Sequence, residues 1–279
     1  MKNLALRSLT GTIYVALIVF GIITNEYTFL CLFSAITILC LWEFYGLMNG
    51  KKDLQICRWL HCLGGWGLFM SFFIYAKGIA GYWIVAVYLV YLIITFISEL
   101  FAQKADPIAH IAHIFLGHLY IVLPVALVNL IAFLPGCFTV TVYYPTLVLA
   151  VFVFIWINDT GAYIVGSALG KHRLFERISP KKSWEGFFGG LIFTLASSLI
   201  FFQYEPVTPL YQWMGLSLVI VVFGTLGDLF ESLIKRTLAV KDSGTAIPGH
   251  GGFLDRFDSF LLAAYAAVVY VLLIQSIQN

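Results

Sequence analysis

Residues 145–168 read PTLVLAVFVFIWINDTGAYIVGSA. A bilayer core takes about 20 apolar residues of helix at 1.5 Å each, and this run is long enough. It nevertheless carries Asn158 and Asp159 within it. A carboxylate at membrane depth is costly unless something compensates it. The stretch therefore predicts a transmembrane helix with a water-filled cavity, a cation or a basic partner beside its second half.

The rest of the 279-residue chain is of the same kind. It is 61% hydrophobic and 11% charged, with 25 Phe, 15 Tyr and 7 Trp, and its mean hydropathy is +0.94. These values exclude an ordinary water-soluble domain. Apolar runs at 8–24, 28–48, 59–76, 82–101, 111–134, 145–168, 185–202, 212–230 and 258–276 predict an all-α polytopic bundle of about nine membrane helices. The first run has the basic and apolar parts of a signal peptide but no small-x-small cleavage site, so it reads as a retained span. One integral-membrane domain over 1–279 is expected, with N-terminal helices in 1–140 and the polar motifs in 141–279. The five cysteines, Cys31, Cys40, Cys57, Cys62 and Cys137, have neither metal spacing nor a disulfide framework and read as small packing residues.

Charge distribution orients the bundle. With the N-terminus in the cytoplasm, fifteen of the sixteen Lys and Arg residues fall inside and only Lys77 falls outside. The C-terminus is then outside. Two inner loops, after the sixth and eighth spans, hold most of the charge, so chemistry is expected at the cytoplasmic face.

Three constellations lie there. In GDLFESLIKR, Asp228, Ser232 and Lys235 follow i, i+4, i+7 on one helix face, with Arg236 alongside. The alternative is that Lys235 and Arg236 are snorkelling anchors, with Asp228 paired to one of them. The second is KDSGTAIPGHGGFLDRFDS, residues 241–259. It concentrates Lys241, Asp242, His250, Asp255, Arg256 and Asp258 around Pro248, Gly251 and Gly252. Asp255 and Asp258, at i and i+3, are expected on one face of the first turn of the last helix. The loop returns the chain to the membrane, so Asp228 and Asp255 can converge across 27 positions. Converging carboxylates call for a cation, and Mg2+ with phosphate oxygens suits that ligand set; a metal-free ion-pair network is the alternative.

The third constellation joins Asn158 and Asp159 to SPKKSWEG. Ser179 is expected to cap the next helix, with Pro180 in its first turn and Glu185 downstream. Lys181, Lys182 and Ser183 then lie near a helix N-terminus, a place suited to phosphate. A capped positive-inside loop is the plain alternative. His110, His113 and His118 show no carboxylate partner and read as packing or interfacial residues.

The run SLIKRTLAVKDSGTAIPGHGGFLDRFD, 232–258, resembles the signature of the phosphatidate cytidylyltransferase (CDP-diacylglycerol synthase) family without departure. NDTGAY and SPKKSWEG resemble that family as well, so the likeness covers roughly 155–260. It implies a Mg2+-dependent transfer of CMP from CTP to phosphatidate in a multi-pass protein of the cytoplasmic membrane, with a second cation left open. Asp228 and Asp255 are the implied metal ligands, and Lys241, Asp242 and Asp258 the rest of the catalytic set. Asn158, Asp159, Lys181, Lys182, Ser183, Ser232, Lys235, Arg236, His250, Gly251, Gly252 and Arg256 are the implied substrate-binding residues. CTP, phosphatidate and the lipid bilayer are the expected partners, with a second copy of the chain as in many family members, and no nucleic acid. A CTP-dependent lipid-alcohol kinase and a transporter using Asp159 and Asp228 are the rival readings.

Overall fold

A computed structural model describes residues 2–52, 54–135, 141–244 and 251–278. Nine long helices run through them: α1 (Lys2–Ile23), α2 (Glu26–Lys52), α3 (Arg58–Ala76), α4 (Ala86–Phe101), α5 (Pro107–Ala132), α6 (Pro145–Leu169), α7 (Trp184–Tyr204), α8 (Leu210–Thr237) and α9 (Asp258–Gln278). Eight of them, all but α1, are long and apolar enough to cross a membrane among the described residues; α1 contributes the shorter apolar stretch Leu9–Ile23. The chain is thus an all-α polytopic membrane protein. Leu89, Val90, Ile93 and Ile97 of α4 are exposed, as a lipid-facing helix requires.

Two short antiparallel hairpins depart from the purely helical expectation: β1 (Phe133–Pro135) with β2 (Thr141–Tyr143), and β3 (Arg173–Phe175) with β4 (Ser179–Ser183). Each lets a connecting segment satisfy backbone N–H and C=O groups locally. Cys137, Pro248 and His250 lie outside the described residues.

The chain divides into two compact units. The first holds Met1–Pro145 together with Asp242–Arg256. Asn25 opens α2, its Oδ1 accepting the Tyr27 and Thr28 amides at 2.9 and 3.0 Å. Asp106 does the same for α5 through Ala109, with Pro107 in the first turn. Within α5 the ladder widens to a π turn, His118–Val122, just ahead of Pro124, which has no amide hydrogen to give. Phe29, Phe33, Phe73, Phe133 and Tyr143 form an aromatic cluster with ring centroids 4.4–6.3 Å apart.

The histidines of α5 correct the expectation. His110 does have a carboxylate partner, Glu99 of α4, with Nδ1 and Oε1 2.7 Å apart. Lys104 closes the group at 3.4 Å from Glu99 and 2.6 Å from His110 Nε2. His118 pairs with Tyr88 at 2.5 Å and His61 with Tyr91 at 2.7 Å, while His113 bonds back to Ala109 O within its own helix. Helix α4 supplies the partners of His61, His110 and His118, namely Tyr91, Glu99 and Tyr88, so spacing along α5 could not reveal them.

The second unit holds Thr146–Lys241 and Phe257–Asn279. Here α8 packs along both α7 and α9. Phe152 of α6 stacks on Phe260 of α9 with centroids 4.6 Å apart, and the buried Trp213 packs on Phe201. Helices α6 and α7 approach at glycines: a Cβ at Gly190 would overlap Asn158 Oδ1 and its carbonyl. Gly190→Ala should therefore cost about 1–3 kcal/mol through forced displacement. Gly224→Ala, whose Cβ meets only Ser259 at ordinary distance, should gain up to about 1 kcal/mol of helix propensity. Thermal unfolding of the two variants in detergent checks this ordering; equal midpoints would contradict it.

Candidate active site

Asn158 and Asp159 sit on α6 as the sequence placed them, the first buried and the second exposed. The segment after α6 then departs from expectation. Ser179 does not cap a helix: it lies in β4 opposite Phe175, and the pairing continues until Ser183 faces Arg173. Ser183 is the cap, its Oγ accepting the Gly186 amide at 3.1 Å, and α7 starts at Trp184. Glu185 bonds outward instead, accepting the Lys171 and His172 amides at 3.1 and 3.2 Å and the His172 ring at 2.6 Å. Those bonds tie the base of the hairpin to the helix start, which is why the strand outlasts Pro180. Lys181 and Lys182 consequently stand on the strand, where its pairing with β3 is irregular.

A cavity of ≈ 630 Å³ opens within this unit. Six residues singled out in the sequence line it: Asn158, Asp159, Lys181, Lys182, Ser183 and Asp228. Arg173, Tyr163 and Thr225 line it too and were not anticipated. Arg173 stood in the sequence only as one basic residue of a loop; its cross-strand partner, Ser183, brings it to the cavity.

Asp228 forms the cavity's ion pair, with Lys182 Nζ 2.7 Å from its Oδ2. The Ser232 hydroxyl donates to Asp228 Oδ1 at 3.3 Å, as the i, i+4 spacing implied. Lys235 reaches the buried Glu231 at 2.5 Å, one turn back. Asp258 opens α9, its Oδ1 accepting the Ser259 amide at 2.6 Å, and it interacts electrostatically with Asp228, Asp159 and Lys235. Asp258 therefore feels the charge of two other carboxylates of its unit. Arg236 and Lys241 are exposed at and beyond the end of α8.

The glycine-rich stretch divides at its edges. Asp242, Gly251, Gly252, Asp255 and Arg256 belong to the first unit, Lys241 and Asp258 to the second. Asp255 does not share the first turn of α9 with Asp258; it lies in a separate 3-10 turn, Leu254–Arg256. Its Oδ2 accepts the Ser243 amide at 2.9 Å and the Gly252 amide at 2.7 Å. Gly251 has φ +83°, a region that favours glycine. The Arg256 carbonyl accepts the Tyr14 hydroxyl at 3.1 Å. His250 lies outside the described residues. Glu43 of α2 bonds to the same segment, a contact no motif announced.

Stability and site function separate at Lys182 and Ser183. The Lys182–Asp228 pair is partly solvent-exposed, so Lys182→Met should change stability by no more than about 1 kcal/mol. Ser183→Ala removes a buried cap and should cost about 1 kcal/mol or somewhat more. Unfolding midpoints in detergent should fall for Ser183→Ala and hold for Lys182→Met; a larger drop for Lys182→Met would make the pair structural.

Phosphatidate cytidylyltransferase of Staphylococcus aureus (strain COL) is 46% identical over 131 residues, which cover 46% of this chain and 49% of the relative. The proteins of that name from Staphylococcus epidermidis (strain ATCC 12228 / FDA PCI 1200), 44% identical over 130 residues, and Staphylococcus saprophyticus, 46% over 129, align over the same shares. The alignments thus span about half the length of these curated relatives. The Cytidylyltransferase family matches over residues 5–274. With nearly the whole chain inside that match, the protein belongs to the Cytidylyltransferase family.

Proposed function

We propose that the protein is a phosphatidate cytidylyltransferase, transferring CMP from CTP to phosphatidate to give CDP-diacylglycerol and pyrophosphate for phospholipid synthesis. The activity printed for the staphylococcal relatives is the activity proposed here. The observation that carries it is the cavity in which Lys181, Lys182 and Arg173 share a lining with Asp159 and Asp228. Cations that can meet phosphate stand beside oxygen donors in a unit built of membrane helices.

Among the described residues no three His, Cys, Asp or Glu side chains gather closely enough to hold a metal ion, so a Mg2+ site here would rest on two carboxylates completed by phosphate and water oxygens. Asp258 feels Asp228 and Asp159 as like charges, and all three carboxylates offer the hard oxygens such an ion takes. Asp228 with Asp258 would hold it. Asp255, the other ligand the signature implies, enters by sequence resemblance alone. A bound divalent ion would supply charge stabilisation at the phosphoryl oxygens.

The protein's own residues do the rest. Lys182, fixed against Asp228, and Lys181 and Arg173 bind phosphate oxygens of the substrates. An oxygen of the lipid phosphate bonds to the α-phosphorus of CTP. The bond from that phosphorus to the bridging oxygen breaks, and pyrophosphate leaves with the electron pair. A phosphate monoester has its second pKa at about 6, so the nucleophile is ionised near neutral pH and no side chain need remove a proton. The absence of a general-base dyad among the motifs is consistent with that chemistry.

The finer topology follows the same reading. Nine spans including α1, the N-terminus inside and the C-terminus outside place the basic loops and the cavity at the cytoplasmic face of the cytoplasmic membrane, where CTP is available. The acyl chains of phosphatidate stay in the bilayer. The resemblance also raises a homodimer, which the mass of the detergent-solubilised protein reads directly.

Purified full-length protein in detergent, given CTP, Mg2+ and phosphatidate, should release pyrophosphate only when the lipid is present. Asp228→Asn should lower the rate by about 10²–10³, the loss typical of removing one charge-stabilising group. CDP formed on adding phytol or a polyprenol would reassign the protein to the lipid-alcohol kinases. Lipid-independent pyrophosphate release would contradict the proposal.

A further inference from the structure

We infer that Glu43 is a positioning residue of the reaction: its carboxylate holds the chain at Ser243 and again at Phe253 and Leu254, and so sets where Asp242 and Asp255 stand. The inference rests on the function proposed above and extends it to a helix that carries none of the signature.

Glu43 lies within α2, in an 18-residue window whose hydropathy marks it as a membrane span. An acid there demands compensation, and the compensation comes from one short segment of the same unit. The Ser243 hydroxyl donates to Oε1 at 2.5 Å. The Phe253 amide donates to Oε2 at 2.5 Å and the Leu254 amide adds a longer bond at 3.4 Å. Ser243 precedes the glycine-rich stretch and Phe253 follows it, so one carboxylate meets both ends.

The glycines complete the clamp. A Cβ at Gly244 or at Gly252 would overlap Glu43 Oε1. The backbone approaches the carboxylate closely only because those two positions carry no side chain. Asp255 acts from the other side, its Oδ2 accepting the Ser243 and Gly252 amides. Ser243 is therefore held through its hydroxyl by Glu43 and through its amide by Asp255. Asp242 and Asp255, both expected in the catalytic set, flank these bonds directly. Loss of Glu43 would leave the Phe253 amide and the buried Ser243 hydroxyl without their charged acceptor.

Glu43 touches no reacting atom in this account, so the test needs a readout that a general packing role would not move. Hydrogen–deuterium exchange on the full-length protein in detergent provides one. Glu43→Gln should speed amide exchange at Phe253 and Leu254 roughly ten- to hundred-fold, the loss of one or two charge-assisted bonds, and leave α3 and α5 unchanged. Turnover of CTP and phosphatidate per folded molecule should fall at least about ten-fold, with the KM for phosphatidate little altered. Glu43→Asp, which keeps the charge and the acceptors, should recover part of both.

Ser243→Ala removes one bond and keeps the amide contacts, so it serves if Glu43→Gln does not fold. Its exchange and turnover should move in the same direction by a few-fold. Unchanged exchange at 251–256 in these variants overturns the clamp. Faster exchange with wild-type turnover overturns its catalytic role. Wild-type protein that makes no pyrophosphate from CTP and phosphatidate overturns the proposed reaction, and the exchange arm still decides the clamp.

Discussion

Carboxylates in a membrane-embedded unit have to be compensated, and the Asp228–Lys182 ion pair is where this protein meets that demand most directly. An isolated charge moved into low dielectric costs several kcal/mol even after relaxation. Asp228 has Asp258 as a neighbour of its own sign. Lys182 and the Ser232 hydroxyl offset part of that repulsion. The fold around them exists to deliver these groups: α6 brings Asp159, the β3–β4 hairpin brings Lys182, α8 brings Asp228 and the start of α9 brings Asp258. A gathering of like charges that is otherwise unfavourable would be relieved by a bound cation, which is the role the proposed reaction gives it.

The signature run is not one structural piece. Its first part, through Lys241, closes the second unit at the end of α8, and Asp242–Arg256 belongs with the N-terminal helices. A contiguous stretch of sequence thus serves two separate packing environments. In the first unit Glu43 and Asp255 accept amides and a hydroxyl. In the second Asp228 meets a lysine. The chemistry of a carboxylate here depends on which donors its unit presents.

Hydropathy alone located most of the membrane helices to within a few residues, because about 20 apolar residues in a row have few other stable destinations; α8 runs on to Thr237 where the apolar run was read to end at 230. The polar residues of the cavity lining were legible one stretch at a time, since the cost of a charge in a span marks it, but not that Asp228 shares a cavity with Asn158, Asp159, Lys181, Lys182 and Ser183. What escaped were partnerships made across helices. Ser183 caps α7 in place of Ser179 because the hairpin extends the strand, and strand pairing over five residues leaves little trace in a local pattern. His110 meets Glu99 of the preceding helix. Glu43 was discoverable by the rule that flagged Asp159, a lone acid in an apolar helix, but its neighbours in sequence gave it no motif to belong to. Arg173 was counted for topology and proves to line the cavity.

The central claim, that the carboxylates of the second unit form a divalent-cation site serving a nucleotide, is tested most directly by electron paramagnetic resonance of Mn2+ added to the full-length protein in detergent. The account predicts a bound-Mn2+ signal that strengthens with CTP and is lost in Asp228→Asn at unchanged unfolding temperature. A signal of equal strength in wild-type and Asp228→Asn protein would contradict it.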